Sequence, residues 1–133
     1  MALDPQYTST PNISAATETT LNNVYDGTGT VGTIFTAGAN GSYLSFIRLK
    51  PLGTNIATIA RFWINNGGSN GTAANNFLLT EAVLAATTSS TVVALPEVVI
   101  PINFALPTGY KINWALGITV AAGWQATGVG GDY

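Results

Sequence analysis

Six carboxylates, Asp4, Glu18, Asp26, Glu81, Glu97 and Asp132, hold most of the acid–base chemistry open to this chain, because its 133 residues include no histidine and no cysteine. Glycoside hydrolysis needs two carboxyl groups held a few ångströms apart. No two of these acids sit in a recognisable catalytic string, and only folding could bring Glu81 near Glu97. Without cysteine there is no disulfide staple, thiolate nucleophile or thiol-ligated zinc. The asparagine-rich stretch 65–76 offers carbonyl oxygens for calcium but none of the carboxylates such a site normally uses. The expectation is a chain with no catalytic residue, no cofactor and no metal.

Two further strings lose their chemical meaning in context. Gly27-x-Gly29-x-x-Gly32 matches the dinucleotide fingerprint, which works only where the glycines end a strand and open a helix. Here Thr33-Ile34-Phe35-Thr36 continues as a strand, and no acid follows about 20 residues on. Asn12, Asn40 and Asn70 stand in glycosylation sequons. The N-terminus has neither a basic segment nor an apolar one, so no secretory signal is expected and the sequons read as products of composition.

The aromatic residues are better candidates for contact. Trp63, Trp114 and Trp124, with Tyr7, Tyr25, Tyr43, Tyr110 and Tyr133, could stack on sugars or anchor a protein interface, where Trp and Tyr are enriched. Trp114 falls on the apolar face of its strand and reads as core. Trp63 lies opposite the core face of its own strand, beside Arg61, and reads as an exposed contact. Tyr7, Pro11, Arg61, Trp63, Trp124 and Tyr133 form the candidate interface set.

The elements that position these residues read as strands throughout. Thr, Val, Ile and aromatics abound, Asn-Gly and Gly-Gly punctuate the chain, and no long 3.6-residue periodicity appears. Strands are expected over 14–21, 31–36, 43–51, 57–65, 77–85, within 92–104, over 110–120 and over 124–129. Asn40-Gly41 marks a tight turn. In 43–51, Tyr43, Ser45, Ile47 and Leu49 should face one way and Leu44, Phe46, Arg48 and Lys50 the other. In 57–65, Thr58, Ala60, Phe62 and Ile64 should oppose Ile59, Arg61 and Trp63, leaving both faces half apolar. Pro96 and Pro101 mark 92–104 as an edge strand, a broken strand, or both. Seven to eight short antiparallel strands specify an all-β, single-domain β-sandwich or jelly-roll. Residues 1–12 read as an extended N-terminal arm and 128–133 as a C-terminal tail, either able to clasp a neighbour or to hang free.

Composition narrows the function classes. Charged residues make up 8% of the chain, against about 25% in an average soluble domain. Net charge is −2, and Arg48, Lys50, Arg61 and Lys111 are too few for a phosphate-tracking groove, which argues against nucleic acid. Residues 112–131 run uncharged for 20 positions, the length of a membrane span, but they hold five glycines and alternate like strands, so no membrane partner is expected. So little charge gives little like-charge repulsion between copies. A building block covered by neighbours is the reading that composition favours.

The opening Met1-Ala2-Leu3-x-Pro5-x-Tyr7-x-x-x-Pro11, the late Leu106-Pro107-x-Gly109-Tyr110 and the closing Gly130-Gly131-Asp132-Tyr133 resemble a family of small structural proteins of tailed bacteriophages. The matches lie at both ends, in register with a chain of about this size; residues 56–99 carry none. The resemblance implies a virion component assembled in the host cytoplasm, with no active-site residue to transfer. It points first to a capsid decoration (cement) protein bound to the major capsid protein and to itself, as a trimer. A tail or head–tail accessory protein and a glycan-binding β-sandwich module built on Trp63 are the alternatives.

Overall fold

The structure, a computed structural model, describes residues 7–133; the carboxylate Asp4 and the first half of the N-terminal arm lie outside them. Eight strands follow in order: β1 (Thr10–Glu18), β2 (Gly32–Thr36), β3 (Ser42–Pro51), β4 (Thr58–Asn65), β5 (Asn76–Leu84), β6 (Val98–Leu106), β7 (Lys111–Leu116) and β8 (Trp124–Asp132). A single 3-10 turn, Ala73–Asn75, precedes β5.

The strands form two four-stranded antiparallel sheets, β1-β8-β3-β6 and β2-β7-β4-β5. β1 pairs with β8, β2 with β7, β3 with β6 and β4 with β5. The first half of the chain thus runs back against the second half in reverse order, like one long hairpin. The pairings β3–β8 and β4–β7 then roll that hairpin into two layers. This order is the eight-strand jelly-roll. The 20-residue uncharged run splits between β7 and β8, which belong to different sheets, and no helix among the described residues is long and apolar enough to cross a membrane.

The core fills the space between the layers. Leu44, Ile47, Leu49, Trp124 and Ala126 of the first sheet meet Ile34, Phe35, Ala60, Phe62, Ile112, Trp114 and Leu116 of the second. Phe62 and Trp114 lie nearly parallel with ring centroids 6.0 Å apart. The expected core face of β4 is present, and Trp114 is buried as its alternation requires. Sheet stacking of this kind buries alternate residues of each strand, as period-2 patterns specify.

Two expectations change in position and one is narrowed. Ser45 is an extra residue opposite β8, where the register jumps from Leu44↔Gly130 to Phe46↔Val129. This bulge inverts the alternation part-way along β3, so Leu44 faces inward before it and Ile47 and Leu49 after it. The facing register of β6 jumps between Phe104 and Pro101, and Asn103 there takes a left-handed φ of 57°. β6 is therefore both an edge strand and a broken one. Finally, Pro11 and Asn12 belong to β1, and residues 128–132 to β8, where they pair with each other. The described part of the arm is short, and the expected C-terminal tail is a strand held on both sides by β1 and β3.

Candidate functional site: an apolar sheet face

The two outer faces of the sandwich are covered very differently. Over the second sheet the chain folds its own loop, the β1–β2 connection of residues 19–31. Asn22 closes this loop by donating Nδ2 to the carbonyls of Thr28 and Thr30, both at 2.8 Å. Asn76 Nδ2 holds the Asp26 carbonyl at 3.0 Å, and Asn70 Nδ2 holds that of Gly29 at 2.7 Å. Compact closed loops of this length are packed by their own side chains. The asparagines of the 65–76 stretch thus serve as loop anchors.

Under that loop lie the residues read from the sequence as exposed. Trp63 has no exposed surface; its indole Nε1 donates to the Tyr25 carbonyl at 2.8 Å. Arg61 is buried beside it. Its Nε pairs with Glu81 at 2.9 Å, its Nη1 donates to Asn23 Oδ1 at 3.1 Å, and its guanidinium lies 4.1 Å from the Tyr25 ring centroid. A buried guanidinium is tolerable only with such partners. Trp124 sits in the core at 1% exposure. Arg61, Trp63 and Trp124 are therefore corrected from contact residues to interior ones, and the sugar-stacking platform loses its tryptophan. Alternation identified Trp63 as off the core face, but it carries no information about which loop returns to cover it.

The other three candidates converge. Tyr7, which is 84% exposed, lines a groove of about 270 Å³ with Thr8, Tyr43 and Tyr133. Pro11 stands close by on β1, opposite Gly131, which is in turn opposite Tyr43. The chain ends are fixed here by polar contacts. Asp132 accepts hydrogen bonds from the Ser42 hydroxyl and, at 2.9 Å, from Asn12 Nδ2; these donors hold its carboxyl below the usual aspartate range, the Ser42 bond contributing most. Asn12 also donates to the Thr36 carbonyl at 3.1 Å, tying β1 to β2 across the sandwich edge.

Beyond that groove no described residue covers the middle of the first sheet's outer face. Register places Ile13 opposite Val129, Val129 opposite Phe46, and Phe46 opposite Pro101. These four side chains form an apolar row crossing all four strands. One flanking row is Pro11, Gly131, Tyr43 and Ala105; the other is Ala15, Thr127, Arg48 and Val99. Ile13 is 64% exposed and Val99 47%. Charge enters only at one end of the face. There Arg48 lies 5.9 Å from the Phe46 ring centroid and pairs with Glu97 at 3.4 Å, while Lys50 Nζ donates to the Leu95 carbonyl at 2.6 Å. Contiguous exposed apolar surface of this kind marks interaction sites in soluble proteins. Ile13, Phe46, Pro101 and Val129 were missed in the sequence because the β3 bulge and the start of β1 decide which side they face.

Among the described residues Glu81 and Glu97 do not come together as a pair. Glu81 is bound to Arg61 and Glu97 to Arg48, in different sheets. Glu18 is pushed up from its ordinary range by burial alone, and Asp26 is held down by the hydroxyl and backbone N–H of Thr28. Among the described residues, no group of three or more His, Cys, Asp or Glu could hold a metal ion.

No family model and no curated protein matches this chain. Two solved structures from infectious bursal disease virus align with it at 15% identity. The structure of the Gt strain gives a TM-score of 0.30, and the D431N mutant VP2 protein in T=1 particles gives 0.27. Each alignment covers 97% of this chain and 35% of the other, so the chain spans about a third of the length of those proteins. Likeness at this level carries no argument about function.

Proposed function

We propose that this protein is a non-enzymatic virion structural protein, a capsid decoration protein that binds and stabilises a shell of major capsid protein. The observation that supports this most directly is the outer face of the first sheet, an apolar row four strands wide left open by the described residues of a chain with ten charged residues, four basic plus six acidic. Leaving that surface in water costs free energy that a neighbour would remove, so the assembled state is favoured by mass action. The jelly-roll is compatible with this role, being an architecture of viral capsid domains, though lectins and cupins share it. The patterns at 1–11, 106–110 and 130–133 that resemble small tailed-phage structural proteins favour the capsid role among these.

The test is the copy number of the protein in purified particles from its source, by quantitative mass spectrometry. Hundreds of copies, at parity with the major capsid protein or a simple fraction of it, are expected. A few dozen or fewer would place the protein in the tail or at the portal vertex, and none would refute a virion role. A glycan-binding reading would need an exposed aromatic platform, and the groove of Tyr7, Tyr43 and Tyr133 is where to look for it. Glycan-array binding lost in Tyr43→Ala would support that reading.

A further inference from the structure

We infer that Asn70 is a site of covalent self-modification, and that its conversion to aspartate or isoaspartate releases the loop covering Arg61 and Trp63. The inference does not depend on the virion role.

The chemistry lies in the Asn-Gly step. The backbone nitrogen of the glycine attacks the asparagine Cγ and forms a C–N bond. The side-chain nitrogen leaves as ammonia, carrying the proton that the backbone nitrogen gives up, and a cyclic succinimide remains. Water then opens either carbonyl of the ring, leaving aspartate or isoaspartate. Glycine permits the attack because it has no Cβ to crowd the nitrogen.

The sequence holds this step at Asn40, Asn66 and Asn70, and the structure separates them. Gly41 is buried, and its N–H donates to the Gly38 carbonyl at 3.0 Å. Gly67 N–H is held by Asn65 Oδ1 at 2.8 Å, and Asn66 donates its own N–H to the Asn75 carbonyl at 3.0 Å. The Asn66 side chain is also tied, accepting from Gly68 N–H at 3.1 Å and donating to Asn75 Oδ1 at 3.2 Å. Asn70 and Gly71 instead form the middle of a surface turn closed by Thr72 N–H on the Ser69 carbonyl at 3.2 Å. Among the described residues, Gly71 N–H meets only the exposed Ser69 hydroxyl, at 3.2 Å. The attacking nitrogen is therefore freest at Gly71.

Asn70 is also an anchor of the lid. Its Nδ2 donates to the Gly29 carbonyl at 2.7 Å and to the Gly27 carbonyl at 3.3 Å. Its Cγ can turn toward Gly71 only when those bonds open, and a surface loop opens at lower cost than the buried turn at Gly41. Conversion thus samples the open loop and then traps it. A carboxylate has no proton to offer, so oxygen would face oxygen where the bonds had been. Asn22 and Asn76 still hold the loop, which loosens without unfolding the sandwich. The loosened segment lays Tyr25 over Trp63 and Asn23 against Arg61, so the buried outer face of β4 becomes reachable.

The full chain, held at mildly alkaline pH and followed by site-resolved peptide mass spectrometry, tests the chemistry. Asn70 should convert at least about fivefold faster than Asn40 or Asn66, the factor that one net hydrogen bond supplies. Gly71→Ala should remain unmodified at Asn70 over the same incubation. It should fold, because Gly71 needs no left-handed φ and an added Cβ meets only Ser69 Oγ, at 3.4 Å. Chymotryptic cleavage after Tyr25 tests the release, since it follows the population of the open loop. Asn70→Asp and the aged protein should both be cut about tenfold faster than fresh protein, and Asn40→Asp no faster. Equal conversion at the three sites, no conversion at Asn70, or unchanged cleavage in Asn70→Asp would overturn the inference.

Discussion

The three tryptophans are all buried, but among the described residues only one has a hydrogen-bond partner for its indole N–H. Trp63 donates to the Tyr25 carbonyl at 2.8 Å, while Nε1 of Trp114 and of Trp124 meets no partner among the described residues. The same substitution should therefore have opposite consequences at two sites. Trp→Phe removes roughly 40 Å³, and at about 24 cal/mol per Å³ the resulting cavity costs roughly 1 kcal/mol. At Trp63 the lost hydrogen bond adds about 1 kcal/mol, giving a total of about 2 kcal/mol. At Trp124 the change deletes a donor whose desolvation costs about 1–3 kcal/mol, so Trp124→Phe should lie between neutral and about 2 kcal/mol stabilising. Urea unfolding followed by far-UV circular dichroism measures both, the midpoints being comparable if the slope is unchanged. The expected gap between the variants is about 2–4 kcal/mol. Equal destabilisation of both would refute the reasoning, showing that the Trp124 N–H is satisfied by penetrating solvent and that the loop contact at Trp63 contributes nothing.

Other consequences can be checked with the same assay. Asn55 is buried where three loops meet: it donates to the Gly123 carbonyl at 3.1 Å and accepts from the N–H groups of Ala122 and Gly123. Asn55→Ala should cost about 2–4 kcal/mol and expose the 85–97 loop to proteolysis, and an unchanged cleavage rate would show that the loops hold without it. Gly130 packs against the Tyr43 carbonyl where β8 meets the β3 bulge, so Gly130→Ala forces backbone apart and should abolish soluble expression or lower the melting point by more than 10 °C. The Asp132 carboxyl, with its folded pKa held below 3.8, should contribute stability that is complete above that value and is lost as pH falls through the folded pKa. Asp132→Asn should flatten the acid limb of a melting-point profile below pH 4; an unchanged limb would assign it to other carboxylates. Glu18, raised by burial, has the opposite sign: its ionisation removes stability as pH rises from 4.5 through its folded pKa, so Glu18→Gln should raise the melting point at pH 7 relative to pH 4.

Much of the fold was legible in the sequence because period-2 alternation and turn punctuation are local signals. Residues 57–65 gave β4 within one position and its core face correctly, and Asn40-Gly41 marks a turn in which Gly41 takes φ 82°. Local signals are blind to pairing. Ile13 precedes the first strand that local pattern specifies, 14–21, yet β1 begins at Thr10 and pairs with β8 across its whole length. The tertiary partner, Asp132 opposite Thr10, fixes the strand start, and proline is tolerated because β1 is an edge strand. The inversion in β3 has a similar origin: no residue type announces the bulge at Ser45, which exists because β8 brings Gly130 against the Tyr43 carbonyl.

The misplaced interface has a more general cause. β3 and β4 both carry apolar residues on two faces, so composition alone makes either one a candidate for partner contact. What separates them is the β1–β2 connection. Once Tyr25 and Asn23 are laid over Trp63 and Arg61, the outer face of β4 becomes a second, smaller interior, and its apolar residues are accounted for within the chain. The connection after β3 makes no such return: residues 52–57 pass directly into β4, and among the described residues only the ends of the first sheet's outer face are met, by Thr8 at Gly131 and by Leu95 and Glu97 at Lys50 and Arg48. Two-faced strands therefore identify a shortage of cover, and the path a connection takes decides how it is met. The 13-residue connection 19–31 lays a lid over the second sheet, whereas the six-residue connection 52–57 lays none over the first.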